Sequence, residues 1–70
     1  MTGVEQAKEF IMQVLIRNVR NLRLSVESYH LKVEESVTTT ELHEAFEMIS
    51  YWVDRVENNQ RVLEQLEEEL

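Results

Sequence analysis

Two apolar stripes of helical spacing run through this chain out of phase with each other, and no proline and only one glycine, Gly3, are present to break a helix between them. In the first half Val4, Ala7, Ile11, Leu15, Val19, Leu22, Val26, Tyr29 and Val33 recur every three or four residues, which marks one face of an α-helix. In the second half Leu42, Ile49, Val56, Leu63 and Leu70 stand seven apart, with Ala45, Trp52, Asn59 and Leu66 in the intervening positions. Phe46 and Val53 widen this stripe, which suits a bundle better than a bare two-stranded coiled coil. At about 100° per residue, the 27 positions from Leu15 to Leu42 leave a phase difference of roughly 180°. One unbroken helix would therefore carry its main stripes on opposite sides.

The segment "ESVTTT" supplies the break. Thr38 and Glu41 form a T-x-x-E capping box, and Val37 and Leu42 stand where a hydrophobic staple would hold the entry to a helix. Consecutive β-branched residues also lower helix propensity there. Thr2 and Glu5 make a second box at the start of the first helix. The expected domain is a single all-α unit spanning 1–70: an antiparallel two-helix hairpin with helix 1 over about 3–35, a turn over about 36–39 and helix 2 over about 39–69. Folding back about that turn pairs Val33 with Leu42, Tyr29 with Ala45, Val26 with Ile49, Leu22 with Trp52, Val19 with Val56, Ile11 with Leu63 and Val4 with Leu70, so that facing residue numbers sum to 74 or 75. A rival ladder, Phe10, Arg17, Leu24, Leu31, Thr38, Ala45, Trp52, Asn59 and Leu66, would suit a continuous coiled-coil helix or a swapped dimer. Its companion positions Val14, Asn21, Ser28 and Glu35 are mostly polar, which favours the hairpin.

A hairpin of this size buries little apolar surface on its own. Phe10, Leu24 and Leu31 lie far from the main stripe of helix 1 and serve no intramolecular core. Two hairpins packed into a four-helix bundle would cover them, and two-fold homodimers are the commonest oligomers. Phe10, Leu24 and Leu31, rimmed by Arg17 and Arg20, are the candidate partner or dimer interface. Asn59 is the polar entry in the second ladder, expected opposite Leu15 and one turn from Asn18, where it would fix register at some cost in stability. Trp52 reads as a core anchor.

Charge narrows the function. The net charge is −7; residues 1–35 carry five basic and five acidic side chains, and residues 36–70 carry two and nine. This field disfavours general nucleic-acid binding. The cluster "RNVRNLR" would be the RNA-contacting element of a hairpin dimer, but its arginines have the acidic second half to pair with. The last turn, "VLEQLEEEL", makes Leu63, Leu66 and Leu70 a candidate docking strip for a basic partner, since three glutamates sit where the helix dipole favours cations. His30 with Glu34, and His43 with Glu47, have metal-ligand spacing on a helix, but the two pairs do not converge.

The absence of cysteine removes disulfides and thiolate sites, and no nucleophile, base and orienting carboxylate come together in a hairpin. No catalytic residue, cofactor or metal is expected. The acidic residue in "MTGVEQAKEF" is unlike the basic start of a signal peptide, and no apolar run reaches membrane-spanning length, so a cytoplasmic protein is expected. Three functions follow: a non-enzymatic interaction module (a small adaptor, regulator or assembly factor acting as a helical-hairpin oligomer), an acidic nucleic-acid mimic that inhibits a nucleic-acid-binding enzyme, and an RNA-binding hairpin dimer. The partners expected for the first are a second copy of the chain and an unidentified protein with a basic surface.

Overall fold

The computed structural model describes residues 3–69. Two helices, α1 (Gly3–Glu34) and α2 (Thr39–Glu68), fold back on each other as an antiparallel hairpin. The Cα trace spans 51 × 15 × 10 Å, about half the length that one continuous helix of ~68 residues would need. The chain is thus the two-helix hairpin that the phase break implies. No helix among the described residues is long and apolar enough to cross a membrane.

The turn is built from two different terminators. At the end of α1, Ser36 takes a left-handed backbone conformation with φ 57°. Its N–H donates to the Val33 carbonyl at 3.2 Å, and the Val37 N–H reaches back to the Lys32 carbonyl at 3.4 Å. Together these bonds close the helix as a Schellman motif, satisfying two carbonyls that would otherwise lack partners. The left-handed position usually belongs to glycine or asparagine, so a serine there gives no sequence signal. At the start of α2, Thr38 is extended (φ −66°, ψ 157°), and its Oγ1 accepts the Glu41 N–H at 3.2 Å. That bond is the hydroxyl half of the capping box. Val37 and Leu42 beside it are both half-buried.

Along the seam the two helices keep a seven-residue rhythm. On α1 the rows facing α2 are Val4, Ile11, Asn18, Ser25 and Lys32, and beside them Lys8, Leu15, Leu22 and Tyr29; on α2 they are Leu42, Ile49, Val56 and Leu63, and Ala45, Trp52, Asn59 and Leu66. Three of the expected core residues of α1, Val19, Val26 and Val33, lie instead outside the seam and are nearly half exposed. The reason is geometric. A stripe read at the 3.6-residue period of a straight helix drifts by about 20° per heptad from a seam that repeats every 3.5 residues. The stripe therefore starts in the seam at Val4 and Ile11 and then straddles its edge, with Leu22 and Tyr29 inside and Val19, Val26 and Val33 outside.

Contacts across the seam stay near the expected register: Tyr29 packs edge-on against Phe46 and Lys8 pairs with Glu67 at 3.2 Å, both with numbers that sum to 75. The Asn59 side chain bonds Asn18, with a sum of 77. The expected Thr2–Glu5 box and Val4–Leu70 layer involve Thr2 and Leu70, which lie outside the described residues.

The turn chemistry gives the first prediction. Ser36→Gly should stabilise the hairpin by about 0.5–1 kcal/mol, because glycine adopts the left-handed conformation without steric cost. Thr38→Ala should destabilise it by about 1 kcal/mol through loss of the cap. Urea unfolding followed by circular dichroism measures both; a loss of stability in Ser36→Gly would contradict the Schellman assignment.

Candidate interaction surface

The hairpin interior contains more polar groups than a seam this narrow would be expected to hold. Asn18 and Asn59 are each only 9% exposed, and the Asn18 side-chain amide donates to Asn59 Oδ1 at 2.6 Å. Ala45 is the other described residue buried to this degree, and no large side chain is fully enclosed. The pairing follows from cost. A buried amide set against leucine would lose its water without replacement, whereas two amides brought together satisfy each other. Ser25 helps in a smaller way by donating to the Asn21 carbonyl one turn back, at 3.0 Å, which settles its hydroxyl within α1.

The hairpin presents two unlike faces. On one, a groove of about 420 Å³ is lined by Asn21, Ser25, Ser28, Ala45, Met48 and Trp52, with Leu24 and Glu44 along its edges. Its lining mixes small and polar side chains with Met48 and Trp52 and with the charged Lys32 and Glu41. The other face carries Met12, Val19, Val26 and Val33 on α1, seven apart and each nearly half exposed, alongside Leu15, Leu22 and Tyr29. From α2 it carries Phe46 and Val53 beside Leu42, Ile49 and Val56. The Tyr29–Phe46 ring contact, with centroids 6.3 Å apart and planes at 63°, and the Lys8–Glu67 pair both join these rows across the hairpin. Both contacts lie on the side away from the groove residues.

The residues singled out from sequence are spread over these surfaces. Phe10, Leu24 and Leu31 are 64%, 58% and 55% exposed on α1; Leu24 lines the groove, and Leu31 lines a separate depression with Val26, Glu27 and His30. Arg17 and Arg20 are exposed near them and make no ion pair among the described residues. Arg23 pairs with Glu27 on its own helix at 3.3 Å, so the arginine cluster is not absorbed by the acidic second half; the ion pair that crosses the seam uses Lys8. Leu63 and Leu66 are half-buried against α1, which leaves only their outer edges for a partner, and Leu70 lies outside the described residues. Trp52 is half-buried, with the Tyr51 ring edge-on to it at 4.9 Å, and Arg55 sits over the Tyr51 ring while donating to its hydroxyl at 2.6 Å.

No family model, no curated protein and no solved structure matches this chain. Its surfaces must therefore be read from their own chemistry. His30 pairs with Glu34 and His43 with Glu47, both at 2.9 Å, each within one turn of one helix and open to solvent. Among the described residues no three His, Cys, Asp or Glu side chains gather where they could hold a metal ion. What distinguishes the surface is its apolar content, and the part that sequence reasoning missed is the row Met12, Val19, Val26 and Val33. Its seven-residue spacing was visible; its position beside the seam was not.

The amide pair yields the second prediction. Asn18→Leu and Asn59→Leu should each cost about 1–3 kcal/mol, since each leaves the other amide buried without a partner. The double variant should recover most of that loss, giving a coupling energy above ~1 kcal/mol in a double-mutant cycle. Additive losses in urea unfolding would show that the two side chains do not depend on each other.

Proposed function

We propose that this chain is a non-enzymatic protein–protein interaction module, working as a helical-hairpin oligomer in the manner of a small adaptor, regulator or assembly factor. One observation carries the reading: eleven large apolar side chains of the described hairpin are exposed, while none is fully buried. The hairpin has put its apolar side chains on its surface because two helices have only one seam between them. Isolated surface leucines need no explanation, but aligned rows on both helices do.

Area supports the same reading. A compact monomer of 8.4 kDa would expose about 4,600 Å², whereas this one exposes 5489 Å². The excess, roughly 900 Å², is close to the ~800 Å² that each partner contributes to an interface of standard size. Titratable side chains support a non-enzymatic role in so far as the histidines sit in solvated pairs within single helix turns.

The acidity of α2 favours one second reading, a nucleic-acid mimic that occupies a basic groove. Salt separates the two. Binding through charge should weaken steeply between ~50 and ~200 mM salt, while binding through apolar rows should change little.

Sedimentation equilibrium and thermal melting test the leading reading. The expected result is a mass above 8.4 kDa at micromolar concentration, with a melting temperature that rises with protein concentration because association stabilises the folded chain. A well-folded monomer whose melting is independent of concentration would overturn it.

A further inference from the structure

Of the two faces, one is composed for burial. Between Met12 and Val33 on α1, the row Leu15, Leu22 and Tyr29 and the row outside it hold no charged residue, and the same is true on α2 of the row Leu42, Ile49 and Val56 and the row outside it. The polar members of these rows, Glu5, Lys8, Gln60 and Glu67, stand toward the free ends of the helices. The groove face, by contrast, sets the charged Lys32, Glu41 and Glu44 and the polar Asn21 among Leu24, Met48 and Trp52. We propose that a second copy of this chain packs on the Met12, Val19, Val26, Val33 and Phe46 face, with α1 of each copy against α2 of the other and both turns at the same end. This inference rests on the oligomeric reading above and assigns its interface.

Two observations select a second copy as the occupant. The apolar run on α1, from Met12 to Val33, is matched in length by that on α2, from Leu42 to Leu63 with Gln60 its polar member, so two copies cover each other without a remainder. Charge then chooses the arrangement. The α1 half is balanced at five basic and five acidic side chains, and the α2 half carries two and nine. Placing α1 against the partner's α2 sets the charge-balanced helix against the acidic one. Placing α2 against α2 would instead oppose two acidic helices, which electrostatic complementarity disfavours. Every neighbouring helix pair in the resulting four-helix bundle is antiparallel. The groove and the Leu24 edge stay open on the outside of the dimer.

Two variants and one distance decide the matter. Sedimentation equilibrium should give wild type a mass of about 17 kDa, twice 8.4 kDa. Val19→Asp with Val26→Asp should raise the dimer dissociation constant by ~100-fold or more, since two apolar side chains are lost from the interface. Leu24→Asp with Leu31→Asp should leave it within a few-fold of wild type. The chain has no cysteine, so Thr40→Cys, at an exposed site by the turn, takes a single spin label on an otherwise native dimer even if the valine variant fails to fold. With turns at the same end, the label-to-label distance should be about 20–30 Å, two to three times the 8–10 Å spacing of packed helices. A distance of about 50 Å or more, the length of the hairpin, overturns the arrangement. A dimer that survives the valine substitutions, or falls apart on the leucine ones, overturns the face while leaving the interaction-module reading in place. A wild-type monomer overturns both.

Discussion

The hydrogen bond between Asn18 and Asn59 governs the geometry of this hairpin. Apolar side chains can slide past one another at small cost, because their attraction has no direction. A buried amide cannot, because any register that separates it from its partner leaves a donor or acceptor dry. The 2.6 Å bond, at the middle of α1 and about two-thirds of the way along α2, therefore selects one axial alignment. It also selects a rotation, since both asparagines must point into the seam. Once Asn18 does so, Val19 is turned about 100° away. Val26 and Val33 follow it outward at seven-residue steps.

That rotation explains why the molecule has two different faces. Small and polar residues, among them Ser25, Ser28 and Ala45, are drawn to the side of the seam that holds the asparagines, where they line a groove. The rows on the other side are apolar from Met12 to Val33, with Phe46 reaching over to Tyr29. A polar seam contributes less hydrophobic stabilisation than a leucine seam would. The hairpin thus has specificity of alignment at the expense of a dry core, a use of buried polar residues well known from coiled coils.

The ends away from the turn are tied by Lys8 and Glu67, a cation set beside the carbonyl end of α2, where the helix dipole welcomes it. The turn end is fixed by Ser36 and Thr38. Between these restraints lies a straight pair of helices whose exposed rows are held in fixed spacing before any partner arrives. Preorganised rows lose little conformational freedom on docking, which is what an interaction module requires.

The sequence by itself determined the helices, the break between them and the antiparallel hairpin, because these depend on local chemistry: periodicity, the threonine cap, and a phase jump that no continuous helix could absorb. The candidate surface was only partly legible. Phe10, Leu24 and Leu31 could be placed outside the core from a helical wheel, since they lie far from any seam that α1 could use. Val19, Val26 and Val33 could not, because they stand at its edge, where a few tens of degrees decide between inside and outside. Periodicity alone averages over that difference. Only the tertiary structure decided it, through one amide meeting another across the seam and setting which of two adjacent rows would be covered.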